Sequence, residues 1–207
     1  MSIWLPILAI LFIGTFLNPT MIHTTQKQNK FTLSKSTHAA ICVLLVSLGC
    51  SEFITQLLKL YIGRLRPNFY SLCEFNLETR NCDASQQHVN EARMSFPSGH
   101  SSLSFSGLGV LCFYLIGRFG IFNHSPPSSD ATNNICYLWR RRLVTVLCAS
   151  PLLLSMFVAA SRIVDNWHHP SDVLAGIGIG LFCSFFTYHM WFSFIFSSMS
   201  GIPLCNL

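Results

Sequence analysis

Five apolar runs, each close to the length of a membrane span, constrain the fold of this chain more than any other feature of its sequence. A helix needs about 20 mostly apolar residues to cross a hydrocarbon core about 30 Å thick. Only 10% of the 207 residues are charged, whereas about a quarter are charged in soluble domains. We therefore predict an all-α fold, a polytopic transmembrane helical bundle of about five spans that forms one membrane-embedded domain, residues 1–207. The predicted spans are roughly 3–17, 39–60, 101–117, 143–160 and 173–197.

The first run, 3–17, is the shortest and ends at Asn18-Pro19, where proline stops a helix. A cleaved signal peptide is the alternative interpretation. The run lacks a positively charged start and an obvious small-x-small cleavage site, both of which are typical of signal peptides. We expect a retained span.

Basic residues are concentrated in two loops, 18–38 and 118–142. These loops lie on one side of the membrane if all five runs cross, and the positive-inside rule makes that side cytoplasmic. The N-terminus then faces out and the C-terminus faces in. The sequon at Asn123 would be cytoplasmic and should carry no glycan. The basic residues in question are Lys27, Lys30, Lys35, Arg118 and Arg140–Arg142.

The other two loops, 61–100 and 161–172, face outward in this arrangement. Loop 61–100 contains four Arg, which weakens the charge contrast. Two of them, Arg64 and Arg66, are candidates for holding a ligand rather than for setting topology.

Most of the nine cysteines lie inside apolar runs, where cysteine behaves as a small hydrophobe. No CxxC pair occurs, so the sequence has no zinc or redox signature. Cys73 and Cys82 differ, because they share one polar loop. A disulfide between them is plausible if that loop faces an oxidising compartment, and the sequence leaves the pairing open.

Small residues in the last run include Gly176 and Gly180, whose spacing of four allows a close helix approach. We favour ordinary packing within the bundle as their role. A contact between copies of the chain stays open, so a homo-oligomer is possible.

A polar face on the second span ends in the first group of residues that could do chemistry. Glu52, Thr55, Gln56 and Lys59 share one helical face, and ionisable groups at membrane depth normally face a bundle interior. An internal ion pair between Glu52 and Lys59 is one interpretation. The functional interpretation is that Lys59 and the following Arg66 hold phosphate oxygens, Lys as a point charge and Arg through its planar fork.

The segment Pro97-Ser98-Gly99-His100 directly precedes the third span. Ser98 is a candidate N-cap, and Gly99 lets the backbone approach a ligand. The first turn of a helix presents free N–H groups that suit an anion. His100 is predicted to lie in that turn.

The third group contains Arg162, His168 and Asp172. The Asp172 carboxylate is positioned to accept a hydrogen bond from one imidazole nitrogen of His168, which would fix the tautomer and free the other nitrogen to attack. A metal site formed by His168, His169 and Asp172 is the alternative. It is disfavoured, because adjacent histidines do not easily aim at one ion and three nearby cations would repel it.

These groups resemble the three signature motifs of the type 2 phosphatidic acid phosphatase superfamily. The pattern is Lys-x6-Arg-Pro, then Pro-Ser-Gly-His, then Ser-Arg-x5-His-x3-Asp, and every defined position is matched. The strings IGRLRPNF, SFPSGHSS and SRIVDNWHHPSDVLAG look closest to the animal lipid phosphate phosphatase branch. The resemblance covers roughly Ser36 to the end. Members of that branch have six spans, so by order the first of them is expected to be missing here.

The resemblance implies an integral membrane phosphatase that hydrolyses lipid phosphomonoesters through a phosphohistidine intermediate. It implies His168 as the nucleophile, Asp172 as the group that orients it, and His100 as general acid and then general base. No cofactor or metal is implied, so we predict activity without added metal. The residues implied to bind the phosphoryl oxygens are Lys59, Arg66, Ser98, Gly99 and Arg162.

The implied substrates are phosphatidate, lysophosphatidate, ceramide 1-phosphate and sphingosine 1-phosphate, reached from the outer leaflet of the plasma membrane or of an endomembrane. Such an enzyme would take part in phospholipid metabolism and lipid signalling, with no nucleic-acid partner. Two alternatives remain. One is a phosphatase for a sugar phosphate or an isoprenoid diphosphate, which would use the same motifs. The other is a catalytically inactive scaffold or lipid-binding protein, against which the complete motifs argue.

Overall fold

The computed structural model describes residues 6, 8–11, 30–122, 131–197 and 200–204, with the backbone alone at 30–35 and 131–137. Residues 6 and 8–11 are helical. Two short strands, Phe75–Asn76 and Asn81–Cys82, pair antiparallel, with Phe75 opposite Cys82. The elements from residue 30 onward are α1 (Lys30–Ile62), α2 (Phe69–Leu72), β1 (Phe75–Asn76), β2 (Asn81–Cys82), α3 (Gln86–Ala92), α4 (Gly99–Phe119), α5 (Ala131–Val164) and α6 (Pro170–Trp191).

Four helices among the described residues are long and apolar enough to cross a membrane: Ser36–Ile62, Gly99–Phe119, Leu138–Val164 and Pro170–Trp191. The predicted all-α transmembrane bundle is therefore confirmed. The predicted span 3–17 falls mostly outside the described residues, as does the sequon at Asn123.

The end of the last span was predicted wrongly. The apolar run continues to Ser197, but α6 ends at Trp191 and Phe192 is extended. The chain then turns back, because Ser193 N donates to Ile202 O at 3.1 Å. Phe192 and Ile195 are buried against the bundle. Their apolar character thus serves packing rather than a longer helix.

Helix α4 is central, because it contacts α1, α5 and α6. Two of its serines contact α1: Ser106 Oγ lies 2.7 Å from Ser47 Oγ, and Ser102 Oγ lies 2.9 Å from Thr55 Oγ1. Hydroxyl pairs of this kind satisfy polar groups at membrane depth and hold neighbouring helices together.

Helix α6 approaches α4 closely at two glycines. A Cβ added at Gly176 would lie 2.5 Å from Ser98 O, and one at Gly180 would lie 2.5 Å from Ser102 O. Gly178 has nothing within 4 Å of its added Cβ. The two inward glycines therefore pack within this chain, as predicted.

One end of the bundle carries the motif residues. Helices α1 and α5 end there, and α4 and α6 begin there. The connecting segment 63–98 is closed at its base, since Ser95 N donates to Arg64 O at 2.9 Å. A disulfide joins Cys73 and Cys82, with their Cα atoms 5.0 Å apart, which answers the question that the sequence left open.

Candidate active site

A cavity of about 330 Å³ opens at this end of the bundle. All three sequence motifs contribute side chains to it, although their residues are separated by up to about a hundred positions in the chain. Three cations and two histidines face one space, together with an indole. The lining residues are Lys59, Arg66, His100, Arg162, Trp167 and His168.

Lys59 reaches the cavity from the last turn of α1. Its Nζ lies 3.3 Å from the position that a Cβ on Gly99 would occupy, so glycine at 99 makes room for the ammonium group. The alternative ion pair with Glu52 is not formed, because Glu52 Oε1 accepts from Gln56 Nε2 at 2.5 Å instead. The cation is thus directed into the site.

Arg66 is held from two sides. Its Nε donates to Glu91 O at 3.0 Å, and its guanidinium lies 4.8 Å from the centre of the Trp167 ring. Burial lowers the pKa of Arg66, and the Glu91 carboxylate opposes that change. An arginine remains a cation at neutral pH in a protein. Because only Nε is engaged, the terminal nitrogens can bind phosphate oxygens.

Arg162 enters from the last turn of α5. Its Nη2 donates to Asp165 Oδ2 at 2.9 Å and its Nε to Ser161 Oγ at 3.2 Å. These contacts fix the orientation of the fork. They leave the third cation of the cavity partly neutralised by Asp165.

His168 is buried, and its ring is fixed in one tautomer. Its Nδ1 lies 2.7 Å from the main-chain carbonyl of Ser95. A carbonyl oxygen only accepts, so Nδ1 carries the proton and donates it, and Nε2 keeps its lone pair. Burial, with smaller effects of the Arg66 and Lys59 cations, lowers the pKa of His168 to about 4, against the opposing effects of the Ser95 hydrogen bond and the Asp172 charge. The ring is therefore neutral at neutral pH, with the lone pair of Nε2 available.

Asp172 does not hydrogen-bond to His168, contrary to the sequence-based prediction. The nearest distance, from His168 Nδ1 to Asp172 Oδ2, is 3.9 Å, too long for a hydrogen bond. The carboxylate is turned toward the start of α6, where it accepts from His169 N at 3.0 Å as part of a capping box. It also accepts from Ser95 Oγ at 2.5 Å and from Arg64 Nη1 at 2.6 Å.

His100 is the second residue of α4 and lies exposed at the cavity. Ser98 takes the N-cap position as predicted, but its hydroxyl does not cap the helix. It accepts from Ser101 Oγ at 3.1 Å, and Ser98 N donates to Asp172 O at 2.9 Å. Ser98 is buried, so it supports the turn that carries Gly99 and His100.

The alternative metal set does not converge on one point. His168 Nδ1 is occupied by Ser95 O, while His169 Nδ1 lies 3.3 Å from Asp172 Oδ2. Across the described ranges, no group of three or more His, Cys, Asp or Glu is arranged to hold a metal ion.

Comparison with known proteins assigns the region that contains the three motifs to a protein family. The sequence profile of the PAP2 superfamily matches residues 40–196. The chain belongs to the PAP2 superfamily. Among curated proteins, it is 37% identical over 165 residues to lipid phosphate phosphatase 2 of Arabidopsis thaliana, covering 75% of this chain and 51% of the relative.

Two further PAP2-type relatives show how broad the similarity is. Probable lipid phosphate phosphatase 4 of Arabidopsis thaliana is 33% identical, with 80% of this chain and 52% of the relative covered. Phospholipid phosphatase 2 of Rattus norvegicus is 32% identical, with 61% and 44% covered. The similarity therefore extends to plant relatives as well as animal ones. The chain spans about half the length of the curated relatives it matches. No solved structure matches it.

Three residues of this PAP2 site were missed or misplaced by sequence reasoning. Arg64 was considered as a ligand residue, but it contacts Asp172 and Ser171 rather than lining the cavity. Ser95 lies outside the three motifs, and Trp167 had no assigned role. Ser95 lies two residues before Pro97 and Trp167 directly before His168. This nearness to motif residues is the one signal in the sequence that points to them.

Proposed function

We propose that this PAP2-superfamily chain is an integral membrane lipid phosphate phosphatase, a metal-independent phosphoric monoester hydrolase that acts through a phosphohistidine at His168. The observation that carries the proposal is the His168 ring itself. It is buried and neutral, its Nδ1–H is bonded to Ser95 O at 2.7 Å, and it faces a cavity with three cations. This arrangement leaves Nε2 free to attack an electrophile that carries negative charge.

In the first step, the Nε2 lone pair of His168 forms a bond to phosphorus while the bond from phosphorus to the lipid oxygen breaks. Protonated His100 gives its proton to the departing alkoxide. Lys59, Arg66 and Arg162 neutralise the phosphoryl oxygens, because phosphoryl transfer depends mainly on positioning and charge stabilisation. We also assign the turn at Ser98 and Gly99 to this binding, with Gly99 beside the Lys59 ammonium.

In the second step, neutral His100 takes a proton from a water molecule as that water attacks the phosphohistidine. The bond from phosphorus to Nε2 breaks, inorganic phosphate leaves, and His168 returns to its neutral form. Asp172 contributes through Ser95, since its carboxylate bonds Ser95 Oγ rather than the ring. Three fixed cations supply the charge that Mg²⁺ supplies in other phosphotransferases, so activity should not require added metal.

The substrate class we propose is the lipid phosphomonoesters, namely phosphatidate, lysophosphatidate, ceramide 1-phosphate and sphingosine 1-phosphate. The cavity lies where four apolar helices end or begin, so a lipid can place its headgroup there while its chains stay in the bilayer. This phosphatase activity would take part in phospholipid metabolism and lipid signalling. A single domain is sufficient, because all three motifs contribute side chains to one cavity.

We propose that the cavity end faces the extracellular or lumenal side. Arg118 and Arg140–Arg142 lie toward the opposite ends of their helices, which suits a cytoplasmic face. The disulfide of Cys73 and Cys82 suits an oxidising compartment. Leu77 is 84% exposed, and Leu77→Asn creates a sequon with Thr79. We expect that variant to gain a glycan in microsomes while the native Asn123 sequon stays unmodified. A glycan at Asn123 alone would show that the cavity end faces the cytoplasm instead.

Phosphate release from phosphatidate by the purified chain in detergent micelles tests the function. We expect release by the wild type and by His88→Ala, an exposed histidine in α3 that serves as the matched control. His168→Ala should lose it. Equal release by His168→Ala would overturn the proposed chemistry, and no release by the folded wild type would favour an inactive scaffold.

A substrate panel in the same micelles tests the lipid class. Phosphatidate, ceramide 1-phosphate, a sugar phosphate and an isoprenoid diphosphate would be compared by kcat/KM. The proposal expects the lipid monoesters to be preferred. A preference for the sugar phosphate or the diphosphate would move the enzyme to another substrate class with the same residues.

A further inference from the structure

Ser95 links the nucleophile to the rest of the site through three separate groups. Its carbonyl accepts from His168 Nδ1 at 2.7 Å, and its hydroxyl donates to Asp172 Oδ2 at 2.5 Å. Its N–H donates to Arg64 O at 2.9 Å. Ser95 is fully buried. A shift of this one residue would therefore move the acceptor that fixes the imidazole.

Arg64 binds Asp172, the hydrogen-bond partner of Ser95, from outside the cavity. Its Nη1 donates to Asp172 Oδ1 at 2.6 Å and to Ser171 Oγ at 2.7 Å. The Asp172 side chain is fully buried, and a buried carboxylate without a charge partner is strongly unfavourable. Arg64 does not line the phosphate cavity. Its charge is thus used on Asp172 rather than on a ligand.

These contacts also decide what Asp172 does not do. Its Oδ2 lies 3.9 Å from His168 Nδ1, a gap that a small rotation would close. The bonds from Ser95 Oγ and Arg64 Nη1, together with the capping bond from His169 N, hold the carboxylate away from the ring. A carboxylate released from them would form an ion pair with a protonated imidazole, and a protonated imidazole has no lone pair for attack.

We propose that Arg64 and Ser95 are positioning residues, which hold the Asp172 carboxylate off the imidazole and keep His168 neutral with Nε2 directed at the phosphate cavity. The inference rests on the proposed function, since it assumes attack by His168. It assigns the two residues no contact with substrate.

The first test compares kcat for phosphate release in four variants. Arg64→Gln should lower kcat by up to about 100-fold with little change in KM, because a displacement of about 1 Å at a reacting group costs that much. Arg64→Lys keeps a cation and three N–H donors, so it should recover much of the rate. Ser95→Ala keeps the carbonyl and should lose roughly tenfold. Arg93→Gln, an exposed arginine of the same segment, should match the wild type.

The second test titrates His168 by NMR in histidine-labelled protein without substrate, with the signal assigned by its loss in His168→Asn. Removing the Arg64 cation leaves the negative charge of Asp172 without its cationic partner, and that charge then stabilises an imidazolium although Ser95 Oγ and His169 N still bind Oδ2. The pKa of His168 should rise from about 4 toward 6.5 in Arg64→Gln, and return in Arg64→Lys. Unfolding would also raise this pKa toward 6.5, because burial is the largest cause of the low value, so the titration is compared only between samples whose thermal unfolding matches that of the wild type. The charged or titratable groups around the ring are Lys59, Arg64, Arg66, His100, Arg162, His169 and Asp172.

The two tests separate this inference from the proposed function. The titration needs no turnover, so it reads the positioning network even in a chain that hydrolyses nothing. Wild-type rate and an unchanged titration in both Arg64→Gln and Ser95→Ala would overturn the inference while the phosphatase activity stands. Where Arg64→Gln does not fold, Ser95→Ala decides, because it removes a single hydroxyl.

Discussion

Gly176→Ala should separate α4, which carries His100, from α6, which begins two residues after His168. A Cβ at Gly176 would lie 2.5 Å from Ser98 O and 3.0 Å from Ser101 Cβ. Ordinary contacts between carbon and oxygen are about 3.3 Å long or more, so α4 and α6 must move apart by roughly 0.8 Å at this point. The contacted oxygen belongs to the Ser98 backbone, directly before Gly99 and His100. It therefore cannot move aside as the end of a flexible side chain could.

The losses of stability and of kcat both depend on how far α4 and α6 are forced apart at this contact. Overpacking of a close helix contact costs about 1–3 kcal/mol of unfolding free energy. The contact also joins α4 to α6 beside the hydrogen bond of 2.9 Å from Ser98 N to Asp172 O. A displacement approaching 1 Å between a nucleophile and its acid–base partner lowers kcat by roughly 100-fold. We therefore expect a larger fractional loss of rate than of folded protein.

Gly178→Ala is the matched control, since nothing lies within 4 Å of its added Cβ. Alanine in a helix interior should stabilise it by roughly 0.5–1 kcal/mol relative to glycine. The assay is kcat for phosphate release from phosphatidate in micelles, with thermal unfolding recorded on the same samples. If Gly176→Ala matches Gly178→Ala in both rate and unfolding temperature, the close approach does not position the site.

Three further outcomes follow from the same contacts. Treatment with EDTA should leave kcat unchanged, because Lys59, Arg66 and Arg162 supply the positive charge of the cavity; a strict Mg²⁺ requirement would contradict this. In the wild type, the NMR signal of His168 should titrate near pH 4. Since the folded-state pKa lies below the unfolded value, the stability that His168 contributes is present above about pH 6.5 and is lost as pH falls toward 4; a titration near pH 6.5 would contradict the neutral buried ring. Thr55→Val should cost about 0.6 kcal/mol of unfolding free energy, because it removes the bond of 2.9 Å to Ser102, and an unchanged free energy would show that this hydroxyl pair adds no stability.

The bundle could be predicted from apolar runs because crossing a membrane imposes length and composition on a helix. The same signal failed at residues 192–197, since Phe192 and Ile195 are equally apolar whether they continue a helix or fold back onto the core. Apolar composition reports burial. It does not report the hydrogen bond from Ser193 N to Ile202 O that ends the span.

The cavity could also be predicted, because three groups of cations and histidines fall at span ends that the topology places on one side of the membrane. The role of Asp172 could not. Spacing of four placed it near His168, but its partners Arg64 and Ser95 lie 108 and 77 positions away in the chain. Which acceptor the imidazole uses is decided by how segment 63–98 folds over the start of α6. No local pattern carries that information.

Trapping of the covalent intermediate tests the central claim most directly. Phosphatidate labelled with ³²P in its phosphate would be mixed with the purified chain and quenched in alkali, where phosphohistidine survives. We predict label on the peptide that contains His168, lost on acid treatment and absent from His168→Ala. His88→Ala should label like the wild type. Rapid hydrolysis by the wild type without any trapped label, or label that persists in His168→Ala, would contradict the account.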